Sequence, residues 1–317
     1  MRTRLIYNAK AGAGGKEQEL LEEAERHGLE VLRTGSSGDA RRLAEEAVRA
    51  GAPRLLVGGG DGTVHEVVNG IACALLGDGA GDARRVELGV VPLGTGNDLA
   101  RSLGLPARDV RDAVRLAATG RAHRADLIRF RAMQGGRWGE TRWAINAAVG
   151  GVGARVAHRV ESDEKTAWGP LAYWKAGLAE LRDPPEFEAE IVVDGGEAIR
   201  ADVRGIAVTN GRYAGGGVQL SDGVVDDGRL DVVALPVQTV WEDLAAGVEA
   251  LLGQHSASEH LITVRGRRVA ISSHPPMDFT VDGEPVACER IEFESVPGVL
   301  WLVMAEGAAV AETGIVG

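Results

Sequence analysis

The run Leu56-Val57-Gly58-Gly59-Gly60-Asp61-Gly62-Thr63-Val64-His65-Glu66-Val67-Val68-Asn69-Gly70 constrains the fold of this chain more than any other segment. The apolar stretch from Arg54 to Val57 reads as a strand that breaks into glycines and one acid. Beyond the break, Val64, Val67, Val68, Ile71 and Leu75 fall at the i, i+3, i+4, i+7 spacing of one helix face. A strand, a glycine turn and a helix start leave free backbone N–H groups and the positive helix end facing an anion. Glycines admit a phosphate where a side chain would collide with it. The segment therefore predicts a nucleotide phosphate site.

Two more units repeat the design. Glu87 to Leu93 reads as a strand, Gly94-Thr95-Gly96-Asn97 as a turn and Asp98 to Leu103 as a helix. Arg4 to Asn8 reads as a strand, the glycine-rich stretch through Gly15 as a loop, and Lys16 to Gly28 as a helix. In an open parallel sheet such loops gather at the carboxyl ends of the strands, where ligands bind. Two common phosphate motifs fail on the residues. A Walker A loop needs a hydroxyl after its lysine, and Gly14-Gly15-Lys16 is followed by Glu17. The dinucleotide fingerprint needs a third glycine where Gly94-Thr95-Gly96 leads to Leu99 and Gly60-Asp61-Gly62 leads to His65.

Residues 1–124 keep the strand–helix rhythm of a parallel sheet. From Ala125 the pattern becomes short strands with glycine turns, which predicts an antiparallel sandwich over 125–303. Residues 304–317 are expected to return to the first domain or fray. Two helices interrupt the strands, Trp168 to Leu181 and Val240 to Leu252, and the Trp/Leu stripe of the first reads as packing surface. The net charge of −11 excludes a protein built to bind nucleic acid through a basic face. Cys73 and Cys288 read as free thiols in a reducing cytoplasm. No stretch reaches the roughly 20 apolar residues of a membrane helix. The expectation is a cytoplasmic protein; transient peripheral contact with a membrane and a homodimer are compatible with it.

Gly59-Gly60-Asp61-Gly62-Thr63, with His65-Glu66-Val67-Val68-Asn69-Gly70 after it, resembles the signature of the diacylglycerol kinase and sphingosine kinase superfamily. Pro92-Leu93-Gly94-Thr95-Gly96-Asn97-Asp98-Leu99-Ala100-Arg101 resembles its second motif. Ile145-Asn146, Asn210-Gly211-Arg212-Tyr213, Asp226-Asp227-Gly228-Arg229-Leu230-Asp231 and Asp282-Gly283-Glu284 complete the series. The first motif alone is shared with NAD kinases and resembles phosphofructokinases; the ordered set is closest to soluble bacterial lipid kinases. The resemblance implies an α/β nucleotide domain of the phosphofructokinase/NAD-kinase type followed by a β-sandwich. It also implies transfer of the ATP γ-phosphoryl group to a hydroxyl, with Mg²⁺, on diacylglycerol or a related lipid alcohol. The first loop departs from the family, which usually carries Asn-Pro and a serine there; here it reads Asn8-Ala9-Lys10-Ala11-Gly12.

By the resemblance, Asn8, Gly12, Thr34, Gly59, Gly60, Asp61, Gly62, Thr63, Val64, His65, Glu66, Gly94, Thr95, Gly96 and Asn97 would hold the nucleotide. Asp61 and Asp98 would serve the chemistry, Asp61 near Mg²⁺, and Glu284 would be the general base, with Asp61 the second candidate. Asp227, the carbonyls of Val224 and Arg229, and Asp126 through water would hold a structural magnesium. Plainer roles exist for each: Asp61 capping its own helix, Asn97 or Asp98 capping the next, Asp282-Gly283 as a hairpin turn, the acidic run as a β-turn, and His65 as a helix-surface hydrogen bonder. Two other functions remain: a kinase of NAD or a soluble metabolite, and a nucleotide-binding regulator without catalysis.

Overall fold

The computed structural model describes residues 2–11, 16–77, 85–106, 109–154, 185–214, 218–221, 223–238, 261–306 and 308. The first lobe runs β1 (Arg4–Tyr7), α1 (Lys16–Arg26), β2 (Glu30–Arg33), α2 (Asp39–Arg49), β3 (Arg54–Gly59), α3 (Asp61–Leu76), β4 (Glu87–Pro92), α4 (Asp98–Ser102) and α5 (Val110–Thr119). Its strands pair in parallel in the order β2-β1-β3-β4. The central strands β3 and β4 are buried almost throughout, as apolar runs covered on both faces should be. One face packs on α2 and α3 through residues such as Val48, Val67 and Ile71, and the other on α1 and α5 through Leu20 and Val114.

Helix α3 is more buried than its apolar stripe predicts. Asn69, Gly70, Ala72 and Ala74 are buried along with the valines, because further elements cover the side a surface helix would show to water. Gly70 is where α2 crosses: a Cβ there would lie 2.2 Å from the Arg41 carbonyl oxygen.

The second lobe comprises β5 (Ala122–Gln134), β6 (Arg137–Trp138), β7 (Arg142–Ala144), β8 (Ala147–Gly151), β9 (Phe187–Val193), β10 (Ile199–Thr209), β11 (Tyr213–Ala214), β12 (Val218–Gln219), β13 (Leu230–Pro236), β14 (Ile262–Gly266), β15 (Arg268–His274), β16 (Phe279–Val281), β17 (Glu284–Val286) and β18 (Arg290–Val303). These strands pair antiparallel around a core that includes Phe130, Phe279, Phe293 and Ile191. An α/β domain with a β-sandwich is therefore what forms. The predicted helices at 168–181 and 240–252 lie outside the described residues.

The two lobes share backbone. β5 passes residue 124 without a break, paired along its length with β18, and β18 ends parallel to β4 through Trp301 and Leu302. Beyond it, Ala305 N–H donates to the Leu103 carbonyl at 3.1 Å and Ala308 packs on the first-lobe core. Residues 309–317 lie outside the described residues. Two buried asparagines tie the loops under the junction. Asn210 donates to the carbonyls of Asp126 and Ile145, and Asn146 to that of Tyr213.

Candidate active site

The site begins where β3 runs into α3. Gly60 is the N-cap, extended at φ −92°, and no side chain caps the helix, so its first N–H groups face outward. The turn glycines serve different ends. A Cβ on Gly59 would lie 2.5 Å from the Thr63 side chain, and one on Gly94 would lie 2.6 Å from the Gly60 Cα. Gly94 is thus demanded by the contact between two loops. A Cβ on Gly62 would meet nothing nearer than Glu284 Oε1 at 4.0 Å. Gly62 is the glycine a ligand can approach.

Asp61 caps a helix, but a different one from the helix it begins. Its Oδ2 accepts from the Asn97 N–H at 2.8 Å and its Oδ1 from the Asp98 N–H at 2.9 Å, at the start of α4. Asn97 stands in the left-handed region at φ 52° and holds Gly94 through both side-chain amide atoms, at 3.1 and 2.7 Å. The glycine motifs are therefore one unit, with the acid of the first tied to the second. Burial, then the charges of Asp98 and Asp282, push the Asp61 carboxyl up to about 6, against the pull of the two amides.

Along α3 opens a cleft of about 810 Å³, walled by Asn8, Thr34, Gly60, Gly62, Thr63 and Glu66, with Glu284 from the other lobe. Glu66 shapes its edge by accepting from the N–H groups of Gly38 and Ala40, at 2.9 and 3.1 Å. Lys10 and Arg33 also line it, two cations that the sequence reading did not single out. Only their order beside Asn8 and Thr34 could have drawn attention to them. Gly12 lies outside the described residues. Thr95 is exposed, and the Gly96 carbonyl accepts from Arg101, so neither forms this wall.

A second cavity, about 120 Å³, lies between the lobes. Asp61, Val64, His65, Asp98 and Leu99 face Ile145, Ala147, Val149, Thr280 and Asp282 across it. Val64 and His65 therefore line this cavity, away from the predicted nucleotide wall. His65 is no surface residue either: it is 5% exposed, because the second lobe closes over α3. Asp282 was read as an ordinary turn residue. Val281 pairs with Glu284, and φ is 46° at Asp282 and 91° at Gly283, so the turn is a two-residue hairpin with both residues left-handed. Its carboxylate, however, is turned inward and accepts from the successive N–H groups of Ile145, Asn146 and Ala147, at 2.8, 3.1 and 2.9 Å. The side chain of Glu284, the next residue but one, makes no hydrogen bond or ion pair among the described residues and stands beside the open end of α3.

Asp61, Asp98 and Asp282 line this cavity, Asp98 with a further contact of its own, and among the described residues no three acidic, histidine or cysteine side chains are grouped to hold a metal ion. Asp61 would offer Mg²⁺ a carboxylate oxygen beside the phosphate loops. The second predicted metal corner is arranged otherwise. Asp126 is 2% exposed and accepts from the N–H groups of Gly228 and Gly298, at 2.6 and 2.9 Å. Burial raises its carboxyl, with Asp227 and Asp226 adding to the rise. Asp227 accepts from the Arg229 N–H and pairs with Arg265, which also binds Asp231 at 2.7 Å. Arg265 thus supplies the positive charge that a cation would bring beside Val224 and Arg229. As placed, these residues do not fit a magnesium ion.

The profile of the diacylglycerol kinase catalytic domain matches residues 2–130, and that of the YegS C-terminal NAD kinase β-sandwich-like domain matches residues 146–304. The chain is 34% identical over 308 residues to the probable lipid kinase YegS-like of Stenotrophomonas maltophilia, covering 94% of each. It is 32% identical to the diacylglycerol kinase of Bacillus subtilis, covering 89% of each. Among solved structures, a diacylglycerol kinase from Bacillus anthracis superposes with a TM-score of 0.71 at 20% identity, over 97% of this chain and 98% of that one. Yeast NADH kinase shares the fold more distantly, with a TM-score of 0.51 at 12% identity.

Proposed function

The chain belongs to the diacylglycerol kinase family, with YegS-like lipid kinases of bacteria as relatives, and from that premise we propose that it transfers the ATP γ-phosphoryl group to the hydroxyl of diacylglycerol or a similar lipid alcohol. One observation carries the reading: the carboxylate of Glu284 in the second lobe, without a partner among the described residues, stands at the open end of α3, where the large cleft meets the acid-lined cavity.

ATP lies in the cleft with its phosphates on the first N–H groups of α3, and Lys10 and Arg33 supply positive charge at the rim. Asp61 would hold Mg²⁺, and the ion would supply charge neutralisation for the transferring group. The acceptor hydroxyl enters from the cavity between the lobes, where Val64, Leu99, Ile145 and Val149 exclude water from its apolar part. Glu284 takes the hydroxyl proton as the oxygen approaches phosphorus. Asp61 is the weaker candidate for that step, because both of its oxygens already accept backbone N–H groups that fix it in place. Among the described residues no helix is long and apolar enough to cross a membrane, and a lipid acceptor requires brief contact with a lipid surface.

The test offers ATP with diacylglycerol in mixed micelles, a sphingoid base and NAD in turn. Turnover on a lipid alcohol, lost by about 10²-fold or more in Glu284→Gln while ATP binding persists, is the expected result. Phosphorylation of NAD alone overturns the acceptor, and full activity in Glu284→Gln overturns the base.

A further inference from the structure

Asp282 and His65 form a connection between the lobes whose parts the function above leaves unused. Asn69 accepts from the Trp143 N–H at 3.1 Å and donates to the Trp143 carbonyl at 2.8 Å, which fixes its amide orientation. Its Nδ2 points its two hydrogens at the Trp143 and His65 carbonyls, 2.8 and 2.9 Å away, and lies 3.2 Å from His65 Nε2. The ring Nδ1 faces Asp282 Oδ2 at 3.5 Å. That oxygen accepts from the Ile145 N–H, and Oδ1 accepts from Asn146 and Ala147. Three successive backbone N–H groups at the entry to β8 and the His65 ring of α3 thus meet at one carboxylate whose side chain is 4% exposed.

The geometry points to Asp282 as the positioning residue for Glu284, with His65 and Asn69 as the means by which α3 sets its place. The inference rests on Glu284 being the base. Asp282 and Gly283 are the whole turn between β16 and β17, so any swing of Asp282 is passed to Glu284 without slack. The left-handed φ of Asp282 is what an Asp-Gly hairpin turn prefers, and its inward carboxylate is held by the N–H groups at the entry to β8 and faces His65 of α3. The first lobe, which carries the phosphate site, thereby dictates where the second lobe presents its carboxylate. Asp282 does not touch the reacting atoms in this arrangement. It acts through Glu284.

The test is a double-mutant cycle on the full chain. In Asp282→Asn either amide flip sets an NH₂ against backbone donors, Ile145 on one side or Asn146 and Ala147 on the other. Asp282→Asn should lower kcat at least about 10-fold while the KM for ATP moves less than about threefold. In the Glu284→Gln background the same change should lower the residual single-turnover rate by less than about twofold, because there is no base left to misplace. A purely structural role would cut the active fraction equally in both backgrounds, and that additive result overturns the inference. Should Asp282→Asn fail to fold, His65→Ala removes the α3 contact to Asp282 and is put through the same cycle with the same two outcomes. An active Glu284→Gln enzyme would instead sink the base assignment, a result visible before the cycle is completed.

Discussion

The carboxyl of Asp61 is raised from 3.8 to about 6, and its burial makes that shift a stability statement. The sign follows from proton binding. Between those two values the folded protein holds a proton on Asp61 that the unfolded chain has lost, so stability falls as pH rises through the window. The group contributes no penalty below about pH 4 and its full penalty above about pH 6 to 7, which at 1.36 kcal/mol per unit is about 3 kcal/mol. Roughly 2 kcal/mol of this falls between about pH 4.5 and 7.5. Asp61→Asn cannot ionise, so it removes that slope, although it loses one of the two N–H bonds to α4 at every pH. Other acids add to the pH dependence of the wild type: Asp126 is also raised, while Asp39, Glu87 and Glu294 are lowered. The informative quantity is therefore the difference between wild type and variant. Urea denaturation of both proteins, free of nucleotide and divalent cation, at about pH 4.5 and 7.5 should show the gap shift toward the variant by about 2 kcal/mol at the higher pH. A gap that stays constant would mean that the Asp61 charge is not uncompensated, and the argument for a cation at that carboxylate would fall with it.

Three substitutions separate support from contact. Gly94→Ala drives a Cβ into the Gly60 backbone and should cost about 1–3 kcal/mol of stability, read by urea midpoint. Gly62→Ala meets only open space and the end of Glu284, so it should fold normally yet raise the KM for ATP about 10-fold, read by steady-state kinetics. Glu66→Ala leaves the N–H groups of Gly38 and Ala40 without their acceptor, and should weaken ATP binding by calorimetry with a stability loss of about 1–2 kcal/mol.

The strand–turn–helix unit at residues 54–76 was legible because its signals are local: an apolar run, glycines, and a helical repeat within a few turns. The sandwich was legible for the same reason, strand by strand. What could not be read was which residues meet across long separations. Asp61 looks like a cap for α3, and only the approach of the loops at Gly60 and Gly94 turns it toward α4. His65 looks like a polar helix position until the second lobe covers it. Asp282 carries the sequence of a surface hairpin, and its inward carboxylate is explained by amides more than 130 positions earlier in the chain. The acidic run near Asp227 reads as a cation site until Arg265, on a strand far along the chain, arrives opposite it.

The parallel ladder of the first lobe is finished by the last strand of the second, where Trp301 and Leu302 lie along Glu87 and Leu88. During synthesis, β4 emerges long before that partner exists. Until the ribosome has released residue 303, the nascent nucleotide lobe keeps a bare strand edge, open to wrong pairing with other chains. Phosphate-binding loops can be assembled early, but the platform they stand on is sealed last. A protein stopped anywhere before β18 would accordingly be a candidate for aggregation and chaperone capture even with every glycine motif intact.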